Sequence, residues 1–329
     1  MKRSASASWS SSGRSRAVIP ARLQGVDRSL PVWLAAALGL LFLMALPLGW
    51  LAWVSVSSED GPTLTHYRRV LADPALQKAL WNTLVLAFWV GIASIAVGAP
   101  LAWLTARTDI PGKALIRGLV MASFVTPPFL GAFAWVMLAG PNAGFLNKLW
   151  RSLTGAEDAL VNIFSMPGLV FVVTIYTFPY VYIMLANTLA LIASDLEEAA
   201  AILGAGRLSV ALTVTLPLVL PALVSGFILA VLQAIALFGS PAILALPAGF
   251  HTITTQIWSF FHFPPKTEMA AAFSIPLLLA TALLLLVQKK LLGRRGYAAV
   301  GGKGGQRRTI PLGAWRWLAF TGCLAVMAC

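Results

Sequence analysis

Long runs without a charged residue set the pattern of this chain. Between Arg28 and Glu59 the stretch PVWLAAALGLLFLMALPLGWLAWVSV (31–56) is uncharged, and between Lys78 and Arg107 a second window centres on 80–103. A third follows Arg117 to Gly140, a fourth occupies 167–192 within the window bounded by Asp158 and Asp195, and a sixth covers 269–288, ending at Lys289. A helix needs roughly 20 residues to cross about 30 Å of hydrocarbon. A charge at mid-bilayer costs about 2.5–3.5 kcal/mol, so each window predicts a membrane-crossing helix. The fold class expected is all-α, a polytopic transmembrane bundle of six spans plus the start of a seventh.

The fifth span is set by parity. Leu208 to Pro265 contains no charge and is long enough for one or two crossings. Two would place the run Lys289, Lys290, Arg294, Arg295, Lys303, Arg307 and Arg308 opposite the Arg-rich N-terminus, against the positive-inside bias. One crossing at 218–239 is therefore predicted. The remainder, with Pro241, Pro247, Pro264 and Pro265 and the aromatics Trp258, Phe260, Phe261 and Phe263, becomes an outer segment lying in the interface or dipping into the protein. With the N-terminus inside, 18 of the 24 basic residues fall on the cytoplasmic side.

Composition agrees with lipid as the solvent. Residues AVILMFWYC make up 59% and charged residues 11%, against about 45–50% and 25% in soluble domains. The net charge of +13 is topological, since an unbroken apolar background leaves no platform for nucleic acid. Residues 1–30, serines among arginines, are expected to be a disordered basic cytoplasmic N-terminus. Residues 31–292 form the six-span domain, and 293–311 a basic Gly-rich linker. Residues 312–329 read as the start of a seventh span, either truncated or the opening of a second half that is missing.

Chemistry of other kinds is weakly represented. There is no H-E-x-x-H and no G-x-S-x-G, and His66, His251 and His262 stand singly. The string Gly301-Gly302-Lys303-Gly304-Gly305 lacks phosphate-loop spacing. Cys323 and Cys329, both in the last apolar stretch, build neither a disulfide framework nor a thiolate site. No catalytic residue, metal site or cofactor is expected. The six spans hold no Asp, Glu, Lys or His, the groups that proton-driven transporters titrate, so the energy for any transport comes from outside the chain. Prolines at 47, 100, 127, 128, 179, 221 and 276 point to a packed bundle of kinked helices, with Thr126-Pro127-Pro128 a double break in mid-span.

The loop between spans four and five is net acidic and reads as a helix, a glycine break and a second helix. Ser194 with Glu197, or Asp195 with Glu198, has capping-box spacing. Ala199 to Ala201 give helix propensity on a face of little bulk. Gly204 or Gly206 turns the chain, and Pro217 opens the next helix.

Glu198-Ala199-Ala200, then Gly204, Val214 and Leu216-Pro217, resemble the EAA signature of the permease subunits of binding-protein-dependent ABC importers. Val214 stands where isoleucine is commoner. The resemblance implies that the loop 194–217 forms coupling helices docking on a cytoplasmic ABC ATPase dimer. Glu197, Glu198, Ala199, Ala200 and Gly204 would form the docking surface, and Leu216 and Pro217 the return into span five. It implies a non-enzymatic subunit of the bacterial inner membrane, with ATP hydrolysis in a separate subunit, a periplasmic binding protein, a surrounding lipid bilayer, and a second permease half or second copy as partners. The strings Gly98 to Gly112, Phe178-Pro179-Tyr180 and Phe238 to Leu244 look like the ferric-iron transport permeases, where two six-span halves are fused. Ferric iron is the solute this implies. A polyamine, a sulfate-like anion or aminoethylphosphonate is the alternative within the class, and a membrane scaffold or channel without an ATPase the alternative outside it.

Overall fold

The computed structural model describes residues 30–192, 199–200, 202–293 and 309–328. The basic N-terminus and most of the Gly-rich linker lie outside them, as do Glu197 and Glu198. Contacts divide the chain into two units, residues 1–50 and residues 51–329. The first unit contains most of helix α1 (Leu30–Val56), which is 27 residues long with Pro47 inside it and is apolar around its whole circumference.

The second unit is built on three long helices: α3 (Pro74–Arg107), α7 (Met166–Leu191) and α9 (Leu216–Ala236). Each is long and apolar enough to cross a membrane, as are α1 and α12 (Thr267–Gly293). Small residues explain why α3, α7 and α9 pack most extensively with one another. A Cβ at Gly98 would stand 2.9 Å from the Phe178 carbonyl oxygen, and one at Gly226 would stand 2.7 Å from Val181 Cα. In lipid, where helices gain little by hiding apolar surface from one another, such close backbone approach supplies the packing energy. Two hydroxyl pairs cross the same seam, Ser94 with Thr177 and Thr105 with Tyr182, each at 3.0 Å.

The third span is broken, where the sequence places Thr126-Pro127-Pro128. Helix α4 (Lys113–Val125) stops, and α5 (Pro128–Ala139) leaves at 98°. Neither proline can donate a backbone hydrogen bond, and each disfavours helical geometry in the residue before it. The Ser123 hydroxyl donates to the Ile175 carbonyl at 2.6 Å, holding the end of α4 on α7.

At one end of the bundle lie α2 (Thr65–Ala72) and the segment after α9, with α10 (Gly239–Leu244) and α11 (Ile253–Ser259). This segment dips into the protein: Ser240, Leu244, Ala245, Thr252 and Thr255 are all buried. It is tied to α3 by Asn82 donating to the His251 carbonyl at 2.9 Å and by Ile253 N–H donating to the Thr83 hydroxyl at 2.8 Å. Its aromatics Trp258, Phe261 and Phe263 remain exposed. The amphipathic helix α6 (Phe145–Thr154) is anchored by Asn147, whose amide is fully buried.

At the opposite end, Ile310 forms a parallel bridge with Thr108, and Asp109 Oδ1 accepts from Leu312 N–H at 2.8 Å. The following helix α13 (Trp315–Ala328) packs on α4. Its Cys323 is buried beside Leu101, Ile116 and Val120.

Candidate functional site

The elbow between α7 and α9 is built from the glycine turn outward. Ala199, Ala200 and Ile202 are helical. Leu203 N–H then donates to Ala199 O at 3.2 Å, and Ala205 N–H to Ala200 O at 3.1 Å. Gly204 sits at φ +87°. A five-residue reach over a left-handed residue is the Schellman way of closing a helix, and glycine adopts that backbone at no steric cost. The chain restarts at Gly206, whose carbonyl accepts from Val210 N–H at 2.9 Å, and enters α8 (Arg207–Val210).

The second helix does not reset at Pro217. It runs on from α8 through a π-helical turn, Ala211–Thr215, directly into α9. Leu216 N–H donates to Ala211 O, five residues back. Proline inside a helix withholds one hydrogen bond and crowds the carbonyl four residues earlier, here Thr213; a locally wider turn relieves both.

Of the residues singled out from the sequence, Ala199, Ala200 and Gly204 therefore come together in one closed turn. Leu216 and Pro217 stand apart from them on the stem: at 1.5 Å per residue, the rise from Arg207 to Leu216 alone is about 14 Å. Glu197 and Glu198 lie outside the described residues. The sequence reading passed over Ile202 and Leu203, which are 85% and 88% exposed. Two aliphatic side chains standing free beside a charged loop were the available signal.

Within the bundle, the break between α4 and α5 opens a cavity of about 250 Å³ against α7 and α9. Its polar lining is Thr126, Tyr176, Thr177, Tyr180 and Gln233, with Pro128 at the break. Gln233 Nε2 donates to Tyr180 Oη. A second, more open cleft of about 460 Å³ at the α2 end carries Arg69, Asp73 and Lys266. Among the described residues no three His, Cys, Asp or Glu side chains gather where a metal ion could be held.

A family model described as the binding-protein-dependent transport system inner membrane component matches residues 94–295. The chain belongs to this family. The matched region runs from inside α3 to just past α12 and includes both the elbow and the cavity. The molybdenum transport system permease protein ModB of Escherichia coli K12 is 30% identical over 68% of this chain and 96% of its own length. The ferric transport system permease protein FbpB of Actinobacillus pleuropneumoniae is 27% identical over 77% of this chain, but over only 37% of its own length. Among solved structures, a bacterial ABC transporter involved in import of the acidic polysaccharide alginate shares the fold, with a TM-score of 0.66 at 16% identity, covering 82% of this chain and 98% of that one. The chain is thus the membrane component of a binding-protein-dependent importer, a helical bundle of the inner membrane. The ATPase of such systems is a separate subunit, and this chain is not itself an enzyme.

Proposed function

We propose that this permease is driven through its elbow, with the tip around Gly204 docked on a cytoplasmic ABC ATPase dimer while a periplasmic binding protein loads the opposite end. The observation that carries the reading is the exposure of Ile202 and Leu203 immediately before the left-handed turn at Gly204. Burying one exposed leucine in a groove contributes about 1.5–3 kcal/mol. The closed turn presents both side chains on a preorganised backbone, so little further ordering is needed on docking. The basic-residue asymmetry supports a cytoplasmic elbow and N-terminus. The cleft holding Arg69 and Lys266 then faces the binding protein, and a second half or second copy completes the pathway.

For the solute, a sulfate-like anion is the better-supported reading, because the match to ModB runs over nearly the whole of that protein. Ferric iron is the second reading, favoured by the match to FbpB over 77% of this chain. The test of coupling is Leu203→Asp in the importer reconstituted with its ATPase and binding protein. The expected result is at least a tenfold loss of ATP hydrolysis stimulated by the loaded binding protein. Stimulation within twofold of the unaltered importer overturns the reading and favours a scaffold or channel.

A further inference from the structure

We propose that the cavity at the break of the third span holds the solute in transit, and that it takes a small oxyanion through uncharged hydrogen-bond donors. The proposal rests on the importer reading above and deepens it.

Gln233 is the first reason. Helix α9 is apolar apart from Ser225, which is buried and donates to the Pro221 carbonyl at 2.6 Å, and Gln233, which is exposed. A primary amide left open to hydrocarbon costs about 2–7 kcal/mol. This face of α9 therefore meets water or a polar solute rather than lipid, and the cavity is where it does so.

The second reason is the direction of the hydrogen bonds. Gln233 Nε2 donates to Tyr180 Oη, so the Tyr180 hydroxyl hydrogen and the second amide hydrogen of Gln233 are left for a ligand. Tyr176 adds another phenol at the break itself, standing so close to Gly131 on α5 that any Cβ there would fall on its hydroxyl. Thr126 and Thr177 spend their hydroxyl hydrogens on the Ala122 and Val173 carbonyls at 2.8 and 2.9 Å. The donors still free come from two phenols and one amide, and what they seek is an acceptor-rich solute.

Charge gives the third. The lining carries no ionised side chain. A hard trivalent cation is matched by anionic oxygens such as carboxylates, and this lining offers none. An oxyanion meets those hydrogens directly. A fixed lysine or arginine would bind it more tightly, but a transit site must hold its solute weakly enough to release it. The volume fits the same class: about 250 Å³ exceeds the roughly 150 Å³ of a cavity that takes up benzene, which leaves room for a small ion with part of its shell.

The experiment follows uptake of labelled sulfate, molybdate and ferric ion into proteoliposomes containing the complete importer with its ATPase and binding protein. Gln233→Glu puts a negative charge beside the donors and is expected to cut oxyanion uptake at least tenfold. Gln233→Asn, which keeps the amide, should retain it within about threefold, and Tyr180→Phe should fall between. Gly118→Ala, on the exposed side of α4, controls for assembly. Equal oxyanion uptake by Gln233→Glu and Gln233→Asn overturns the proposal, as does an unaltered importer that carries ferric ion and neither oxyanion. Failure here is read from the solute carried, whereas failure of the coupling reading is read from ATP hydrolysis in Leu203→Asp. The two are therefore distinguished.

Discussion

Gly226→Ala tests whether close backbone approach is what holds α9 to α7. An added Cβ would stand 2.7 Å from Val181 Cα, with Val181 Cγ2 and Cβ at 3.2 and 3.3 Å. Ordinary contact begins at 3.4 Å, so the backbones must part by about 0.7 Å, and a main-chain atom cannot rotate away as the end of a side chain could. Overpacking of this kind costs about 1–3 kcal/mol, of which replacing a helical glycine by alanine returns about 0.5–1 kcal/mol. The expected net destabilisation is about 1 kcal/mol, within a range of about 0–2.5 kcal/mol. The matched control is Gly118→Ala on α4, where a Cβ meets nothing within 4 Å and no cost is expected.

The assay is thermal unfolding of the detergent-solubilised chain followed by tryptophan fluorescence, with size-exclusion recovery after heating as a second readout. Gly226→Ala should unfold several degrees below the unaltered protein, and Gly118→Ala at or above it. Equal melting of the two variants would refute the account of the seam, because one substitution crowds a backbone and the other crowds nothing.

Four further outcomes are expected. Asn147→Leu should destabilise by about 2–3 kcal/mol, seen as a lower unfolding temperature, because the buried amide donates to the Gly140 and Val161 carbonyls at 2.9 and 2.8 Å and accepts from Val161 N–H at 3.0 Å. Asp109→Ala removes the carboxylate that accepts from Leu312 N–H; a charge-assisted bond of this type contributes about 1.5–3 kcal/mol, and its loss should appear as faster hydrogen exchange in 309–328 with the rest of the bundle unchanged. Leu203→Asp should uncouple ATP hydrolysis from the loaded binding protein. Gln233→Glu should cut oxyanion uptake at least tenfold where Gln233→Asn retains it within about threefold.

The spans were legible because one cost, that of a charge in hydrocarbon, governs where they stop. Arg107 ends α3 where the uncharged window said it would, whereas Arg117 and Lys289 lie inside α4 and α12, which run about one turn past the edges of their windows. The double proline at 127–128 announced a break, but a 98° turn depends on where α5 finds packing against α7 and α10, and no local rule encodes that. The glycine turn of the elbow was readable as Gly204 or Gly206, and the left-handed backbone falls on Gly204. The π turn at 211–215 was not, since proline's cost can be met equally by a kink, a fresh start or a wider turn, and the choice is made by the packing around it. The cavity was also hidden. Thr126, Tyr176, Tyr180 and Gln233 are scattered over about a hundred residues and three spans, with no spacing that links them before the bundle forms.

The placement of Gln233 and of the elbow on one helical rod has a mechanical consequence. From Leu216, where the π turn delivers the chain into α9, to Gln233 the rise at 1.5 Å per residue is about 26 Å. A tilt of ten degrees about the elbow end would carry Gln233 sideways by about 4–5 Å, more than the length of the hydrogen bond it makes to Tyr180. Helix α7 holds Tyr180 in place through the Ser94 and Thr105 hydroxyls that cross to it from α3, so the two partners belong to different rods. A displacement at the elbow would part them or press them together, and with them the donors that face the cavity. Softness at the joint is what a π turn supplies, having looser hydrogen bonding than the helix on either side. Stiffness beyond it is what the glycine seam supplies, by locking α9 onto α7 at Val181. The same seam limits the motion to a pivot near Gly226, seven residues before Gln233, which shortens the working arm to about 10 Å and the displacement to about 2 Å. That distance is still enough to break a hydrogen bond, and it is why Gly226→Ala, by loosening the pivot, should impair transport more than its effect on stability alone predicts.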